Sequence, residues 1–317
     1  SPGASIFSMS TASDATTISA RSLTRRFGAH SAVNAVNLEL RRGEVLGFLG
    51  PNGAGKTTTM QMLTGNLAPS EGEIAICGVD LLAHPTAAKA RIGYLPENPP
   101  LYRELTVDEY LHLAVKLHRV AKWKRADAVA RAKERCGLAD VSHKLIGTLS
   151  KGYQQRVGIA QAIAHEPDVV ILDEPTVGLD PNQIRDIRNL IRELGGTHSV
   201  ILSTHILPEV EAICDRVQIM HHGNIVYSDT IAALKAVHSG RTILLGLRRP
   251  PPDAELAALT GIVKIEHADN QLLRLQLATE HDPTEQLVTL SVKKNWGLYQ
   301  LAPAQTRLED VFVNLTQ

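Results

Sequence analysis

The chain has 317 residues, of which 44% are hydrophobic, which is enough for about two domains with a core in each. Its 33 basic and 33 acidic side chains balance, so the composition gives no electrostatic argument for a nucleic-acid partner. The 3 cysteines lack metal-ligand spacing and no apolar run reaches the length of a spanning helix, which favours a soluble globular protein of the cytosol.

The first residues are small and polar and do not begin with methionine. Residues 1–16 are therefore interpreted as a disordered arm that includes vector-derived sequence before Met9. Three short strands are predicted next, over 17–27, 33–40 and 45–50, because turn residues separate three apolar stretches there.

A glycine-rich stretch, "GPNGAGKTTT", follows the third strand and opens a helical segment. It fits the phosphate-loop pattern G-x-x-x-x-G-K-[ST], in which glycines let backbone N–H groups surround phosphates at a helix N-terminus. In that pattern Lys56 reaches the β- and γ-phosphates and the Thr57 hydroxyl binds Mg²⁺. The residues assigned to nucleotide binding here are Gly50, Pro51, Asn52, Gly53, Ala54, Gly55, Lys56, Thr57 and Thr58.

The pattern becomes helical between 106 and 166. Thr106 and Glu109 have the spacing of a capping box, which predicts the start of a helix. A second, alanine-rich and charged helix is predicted around 122–136. The apolar residues predicted to share one face of the first helix are Tyr110, Leu113, Leu117 and Val120.

Strands and helices alternate after residue 167, which implies a parallel sheet with helices on its faces. The fold class predicted for 17–228 is therefore α/β, a P-loop nucleotide-binding core with an inserted helical subdomain at about 97–166. In "VVILDEP" an apolar run ends in two carboxylates, Asp173, which we assign to Mg²⁺, and Glu174, which we assign to the attacking water. "SVILSTH" places His205 at the end of a neighbouring strand.

The order strand, helix, strand, strand, helix, strand is predicted for 229–317, followed by a closing helix at "RLEDVFVNL". This βαββαβ order indicates a small α+β domain of ferredoxin-like type. It contains no catalytic cluster, so an interaction or regulatory role is expected.

Five motifs, "GPNGAGKTT", "LSKGYQQR", "ILDEP", "GLDP" and "STH", together resemble the nucleotide-binding subunit of ATP-binding-cassette (ABC) transporters in order and spacing. The resemblance covers residues 17–228. "IGYLPENPPLYRELTV" and "LEDVFVNLT" are most similar to the ATPases of ABC-2-type exporters. The resemblance implies a MgATP-hydrolysing subunit that powers separate integral membrane permease subunits from the cytoplasmic face of the plasma membrane, without nucleic acid.

The resemblance also implies a head-to-tail homodimer with two composite ATP sites. Ser150 and Gly152 of one chain would contact the γ-phosphate on the phosphate loop of the other. Asp180 would lie in the loop that crosses the dimer interface, His205 would contact the γ-phosphate, and Phe27 would stack on adenine.

Two motifs depart from the family pattern. The signature segment reads "LSKGY" instead of LSGGQ, although Ser150 and Gly152 remain. Glu97 occupies the position where many relatives have a Gln that senses Mg²⁺; a carboxylate can bind the ion, but its charge opposes nucleotide binding until Mg²⁺ arrives.

Two other functions stay open at this point. One is a soluble ABC-type ATPase that acts on DNA or the ribosome, although residues 58–168 lack the sustained heptads of a coiled coil. The other is a module that closes on ATP as a switch without useful hydrolysis, for which Glu97 is the main argument.

Overall fold

In the computed structural model the described residues are 15–238, 242–268, 272–278 and 281–304. The chain divides into two compact units between Asp229 and Thr230. The predicted arm up to residue 14 and the predicted closing helix lie outside the described residues, whereas Thr16, assigned to the arm, is already the first residue of a strand.

The first unit combines two sheets with a group of helices. Its strands are β1 (Thr16–Phe27), β2 (His30–Arg41), β3 (Val45–Leu49), β4 (Glu71–Ile76), β5 (Val79–Asp80), β6 (Ile92–Leu95), β7 (Val169–Asp173), β8 (Ser199–Thr204), β9 (Arg216–His221) and β10 (Asn224–Thr230). Its helices are α1 (Lys56–Leu63), α2 (Pro85–Lys89), α3 (Val107–Leu117), α4 (Arg125–Arg135), α5 (Lys151–Ile163), α6 (Pro181–Gly195) and α7 (Leu207–Ile213).

The larger sheet has the strand order β10-β9-β3-β8-β7-β6, and β9, β3, β8, β7 and β6 run parallel, as the sequence predicts. Every residue of β3, β7 and β8 is buried, which explains their uninterrupted apolar runs. Parallel strands end at the same edge of a sheet. The loop after β3, Glu174 after β7 and His205 after β8 are therefore brought to one edge.

The smaller sheet is antiparallel, with the order β2-β1-β4-β5. Its inward side chains share a core with β3 and α1 that includes Leu38, Phe48, Met60 and Ile74. This core fixes the start of α1 between the two sheets, and with it the loop that precedes the helix.

Helix α3 begins with the predicted capping box: Thr106 Oγ1 accepts a hydrogen bond from the Glu109 backbone N–H, and the Thr106 N–H donates to the Glu109 carboxylate. The predicted apolar face is correct at Tyr110, which is buried, but wrong at its later positions, because Leu117 is 70% exposed and Val120 follows the end of the helix. The buried face is shifted toward the helix start, and α3, α4 and α5 pack against one another. The buried residues of α3 are Val107, Tyr110, Leu111, Ala114 and Val115.

The second unit has the predicted βαββαβ order, preceded by a helix that the sequence analysis did not assign. The elements are α8 (Ile231–His238), β11 (Thr242–Leu247), α9 (Asp253–Ala257), β12 (Ile262–His267), β13 (Leu272–Leu277), α10 (Thr284–Lys293) and β14 (Leu298–Pro303). The antiparallel sheet has the order β12-β13-β11-β14, a ferredoxin-like arrangement. Leu245, Leu275, Leu287 and Trp296 belong to its core.

Cys77, Cys136 and Cys214 are free thiols. Burial raises the pKa of Cys136 to about 12, so this thiol is protonated at neutral pH. Within the described ranges, no group of three or more His, Cys, Asp or Glu side chains could hold a metal ion. In the same residues no helix has the length and apolar composition needed to cross a bilayer.

Two stacked histidines join the end of α3 to the segment after α5. The rings of His118 and His165 are parallel within 5°, with centroids 3.6 Å apart, and His165 Nε2 donates to the Ile92 carbonyl oxygen at 3.0 Å. Burial, with a smaller contribution from His118, lowers the pKa of His165 to about 4. The folded state therefore holds this ring neutral at a pH where the unfolded chain protonates it.

We expect this histidine to make stability fall on acidification. The folded-state pKa of His165 lies below the unfolded value, so the unfolded chain takes up this proton first as the pH falls. The neutral ring therefore contributes about 3 kcal/mol to the free energy of unfolding above pH 6.5, and this contribution is lost as the pH falls toward 4. His165→Gln, which keeps a donor for Ile92 but does not titrate, should give a flatter profile in urea unfolding between pH 7 and 4.5. His143→Gln at an exposed position is the control; parallel profiles for all three proteins would contradict the prediction.

Candidate active site

The loop after β3 forms the base of the site. Gly53 and Gly55 have φ angles of 80° and 106°, which side-chain-bearing residues rarely adopt. A Cβ atom on Gly55 would lie 2.5 Å from the Ala32 carbonyl oxygen. Helix α1 begins at Lys56, so the unpaired N–H groups of its first turn lie at the end of this loop. The backbone can therefore surround an anion here.

Lys56 is buried and tied to the loop and to the neighbouring strand. Its Nζ donates to the carbonyl oxygens of Gly50 at 2.7 Å and Pro51 at 3.2 Å. The same Nζ lies 3.3 Å from Glu174 Oε1. The lysine charge therefore lies beside the Glu174 carboxylate, which directly follows β7.

Glu174 links this lysine to His205. Its Oε2 lies 2.9 Å from His205 Nδ1, and its side chain is only 6% exposed. Its φ is 48°, a left-handed conformation that costs energy for a non-glycine residue. The Glu174 N–H donates to the Ser203 carbonyl oxygen, which holds the strained residue against β8. Lys56, Glu174 and His205 thus form a continuous chain of charged and polar groups.

Asp173 is fully buried, and among the described residues neither of its oxygens has a hydrogen bond of good geometry. Burial raises its pKa, and Glu97 raises it further, while the nearby hydroxyls of Ser203 and Thr57 and the charge of Lys56 lower it. Such a carboxylate is costly to bury without a cation. An orphaned carboxylate beside a threonine hydroxyl fits Mg²⁺, which prefers hard oxygen ligands.

A cavity of about 440 Å³ opens above these groups. Of the residues assigned from the sequence, those that line it are Asn52, Gly53, Gly55, Lys56, Thr57, Thr58, Glu97, Glu174 and His205. His30, Ala32 and Val177 also line it and were not assigned. The phosphate loop and the Lys56 ammonium suit a polyphosphate, and the carboxylates of Glu97 and Glu174 suit a divalent cation bound with it.

Phe27 does not line this cavity. It ends β1, its side chain is 48% exposed, and the guanidinium carbon of Arg25 lies 4.7 Å from its ring centroid. Arginine stacks favourably on an aromatic face. The stacking of Phe27 on adenine stays a prediction.

Ser150, Gly152 and Asp180 lie outside the cavity as well. Ser150 caps α5 by accepting a hydrogen bond from the Tyr153 N–H at 3.4 Å. A Cβ on Gly152 would lie 2.7 Å from the side chain of Gln183, and Asp180 caps α6 in a capping box with Gln183. Each therefore has a structural role within the chain, and their action on a nucleotide held by a second chain stays a prediction.

Glu209 is a site-supporting residue that the sequence analysis missed. It is fully buried on α7 and accepts hydrogen bonds from Thr176 Oγ1 at 2.6 Å and Thr204 Oγ1 at 3.0 Å. Arg188 lies 3.5 Å from the same carboxylate. Thr176 follows Glu174 by two residues and Thr204 precedes His205. Glu209 therefore ties together the two segments that position the Glu174–His205 pair.

We expect Asp173→Asn to stabilise the protein in the absence of a divalent cation. A neutral amide costs less to bury than an unpaired carboxylate, so the free energy of unfolding should rise by about 1–3 kcal/mol. Because burial raises the pKa of Asp173, the advantage should shrink as the pH falls and the wild-type carboxyl binds a proton. Thermal unfolding in EDTA measures it.

The same variant should lose the extra thermal stabilisation that MgATP gives over ATP with EDTA. Asp127→Asn, at an exposed position of α4, is the matched control and should behave as the wild type. An unchanged Mg²⁺ response in Asp173→Asn would remove Asp173 from the metal site.

A glycine-rich loop between a buried parallel strand and a helix, with its lysine beside the Glu174 carboxylate after β7, defines the chain as a P-loop nucleoside triphosphatase. The family model described as "ABC transporter" matches residues 33–177, and a model described as "AAA domain, putative AbiEii toxin, Type IV TA system" matches 146–210. The chain belongs to the family of ABC transporter ATP-binding proteins, which bind and hydrolyse ATP to power transport.

The similar proteins cover from about two thirds of the chain to nearly all of it. It is 32% identical to the "Uncharacterized ABC transporter ATP-binding protein YhcH" of Bacillus subtilis (strain 168), over 95% of this chain and 96% of that protein. It is 39% identical to the "Bacitracin transport ATP-binding protein BcrA" of Bacillus licheniformis, over 67% and 69% of the two chains. A solved structure of cbiO1 from Clostridium perfringens, part of the transporter complex cbiONQ, is 28% identical with a TM-score of 0.64 and covers 70% of this chain and 91% of that one.

Proposed function

We propose that the chain is the ATPase subunit of an export-type transporter, that it acts as a homodimer, and that it drives separate integral membrane permease subunits from the cytoplasmic face of the plasma membrane. The observation that carries the proposal is the chain Lys56–Glu174–His205 above a phosphate loop. Relatives named for bacitracin transport and for linearmycin resistance support the export direction, because resistance is consistent with removal of a drug from the cell. The cbiO1 structure, named as part of a larger complex, supports permease partners.

In the proposed reaction Glu174 is the general base that accepts a proton from the attacking water. The water oxygen forms a bond to the γ-phosphorus while the bond to the bridging oxygen breaks, and ADP leaves. Lys56 neutralises charge on the β- and γ-phosphates, and His205 orients the Glu174 carboxylate through its 2.9 Å contact. Mg²⁺, held by Thr57 and Asp173 with Glu97 beside them, would neutralise the phosphate oxygens.

Two nucleotides are proposed to lie between two chains, each on the phosphate loop of one chain and beneath Ser150 and Gly152 of the other. Support comes from the position of these residues at the start of α5, where the N–H groups of a helix N-terminus can bind an anion. Closure on ATP and reopening after hydrolysis would move the helical subdomain. The movement would begin at Glu97, which lines the cavity above the phosphate loop.

Affinity purification of the tagged chain from detergent-extracted membranes tests the function. We expect a polytopic membrane protein to copurify in stoichiometric amount and the complex to hydrolyse MgATP. Copurification with ribosomes or DNA, without a membrane protein, would contradict the transporter proposal and favour a soluble ABC-type ATPase.

A further inference from the structure

The connection between α3 and α4 exposes two large apolar side chains. Leu117 is 70% exposed and Trp123 is 78% exposed, the two highest values among the large apolar side chains described in the first unit. Trp123 lies in the 3-10 turn Lys122–Lys124, and Leu117 is the last residue of α3. Neither side chain belongs to the core, so the fold does not explain them.

Four cations, Lys116, Arg119, Lys122 and Lys124, accompany these two side chains. No acidic residue occurs between positions 110 and 126. Among the described contacts none of the four forms an ion pair with a carboxylate, and Lys124 Nζ lies 4.8 Å from the Trp123 ring centroid. We call this region the Trp123 surface; it consists of Lys116, Leu117, Arg119, Lys122, Trp123 and Lys124.

An ordinary solvated face does not combine these features. Surface cations are usually interspersed with carboxylates, as Arg131 is with Glu166 and Lys133 with Asp108 on the adjoining helix α4. Trp and Lys both have an apolar body and a polar tip, which suits the headgroup region of a bilayer. Unpaired cations beside exposed apolar side chains also match anionic lipid phosphates.

We propose that the Trp123 surface binds directly to an anionic bilayer, with Leu117 and Trp123 at headgroup depth and the four cations against lipid phosphates. An acidic protein segment could neutralise the cations but would leave Leu117 and Trp123 in water unless it also supplied apolar groups. The bilayer satisfies both at once. The proposal depends on the proposed function only for the presence of a membrane nearby.

Tryptophan fluorescence of the full chain tests this directly. The sequence has 2 tryptophans, and Trp296 is only 6% exposed, so Trp296→Phe leaves Trp123 as the single reporter. If that variant is unstable, the difference spectrum between wild type and Trp123→Phe gives the same signal. The probes are vesicles of equal parts phosphatidylglycerol and phosphatidylcholine, with pure phosphatidylcholine vesicles for comparison. Neither permease nor ATP is needed, so failure here leaves the ATPase proposal intact.

With anionic vesicles we expect a blue shift of the Trp123 emission and protection from iodide, both reversed by 0.5 M salt. The double variant Lys122→Ala/Lys124→Ala should bind these vesicles about 25-fold more weakly, about fivefold for each lysine. Lys144→Ala and Leu82→Ala, which remove an exposed cation and an exposed apolar side chain elsewhere in the first unit, should bind as the wild type. All these variants should keep the ATPase rate of the wild type in solution.

Three results would overturn the proposal. One is no spectral response to anionic vesicles. A second is equal binding to neutral and anionic vesicles, which would remove the role of the cations. The third is a response to polyglutamate but not to vesicles, which would assign the surface to an acidic protein segment instead.

Discussion

Glu174→Gln should abolish steady-state MgATP hydrolysis while leaving ATP binding intact. A general base contributes about 10²–10⁴-fold to a rate, so the turnover number should fall by at least about 10²-fold. The amide has the size of the carboxylate but cannot accept the proton of the attacking water. The loss should therefore appear in kcat and not in KM.

The structure also predicts the sign of the effect on binding. Glu174 is buried and lies 3.3 Å from Lys56 Nζ, so its negative charge competes with the nucleotide phosphates for the same cation. Removing that charge should leave the Kd for ATP unchanged or lower it. The strained φ of 48° does not depend on the charge, and the hydrogen bond from the Glu174 N–H to the Ser203 carbonyl oxygen remains.

The measurement is ATPase turnover and equilibrium binding of a fluorescent ATP analogue on the same preparations. Glu193→Gln, at an exposed position of α6, makes the same chemical change away from the site and should leave both values unaltered. Sustained hydrolysis in Glu174→Gln would assign the base to another group. A loss of binding with unchanged turnover per bound nucleotide would assign Glu174 to nucleotide affinity instead.

The parts of the site that the sequence could predict are those that depend on order along the chain. A phosphate loop after an apolar strand, and two further strands that end in Asp173–Glu174 and His205, must meet because parallel strands end at the same edge. The sheet order and the Lys56–Glu174–His205 contacts agree with this reasoning. The capping boxes of α3 and α6 are also local, and the first was predicted from Thr106 and Glu109.

The parts that the sequence did not predict depend on distant packing. Leu117 has the spacing of a core residue on α3, yet the helix ends there and the burying contacts lie one turn earlier. Elements β4, β5, α2 and β6 have 2 to 6 residues each, too few to show a periodic pattern. Glu209 reads as a surface carboxylate of a short helix. Only the fold brings Thr176 and Thr204 to it.

A mixture of two inactive variants should regain ATPase activity if each nucleotide lies between two chains. Ser150→Arg keeps an intact phosphate loop but blocks the segment that acts on the partner, because the exposed Ser150 side chain becomes long and charged. Lys56→Ala keeps an intact Ser150 segment but lacks the phosphate-binding cation. In a heterodimer of the two variants, the phosphate loop of the first and the Ser150 segment of the second form one complete site.

When equal amounts of the two variants pair at random, about one half of the dimers are heterodimers. Each heterodimer has one complete site of two, so the mixture should reach about a quarter of wild-type activity. Activity of the wild type should also rise with protein concentration as dimers form.

Ser150→Asp separates loss of the helix cap from loss of the composite site. It preserves the α5 cap, because Asp caps helices as well as Ser, but its negative charge opposes phosphate. It should be as stable as the wild type, inactive alone, and rescued equally by Lys56→Ala. Activity of Ser150→Arg alone at the wild-type level would show that the segment does not act on phosphate. Two inactive variants without recovery on mixing, at concentrations where the wild type is active, would place each nucleotide within one chain.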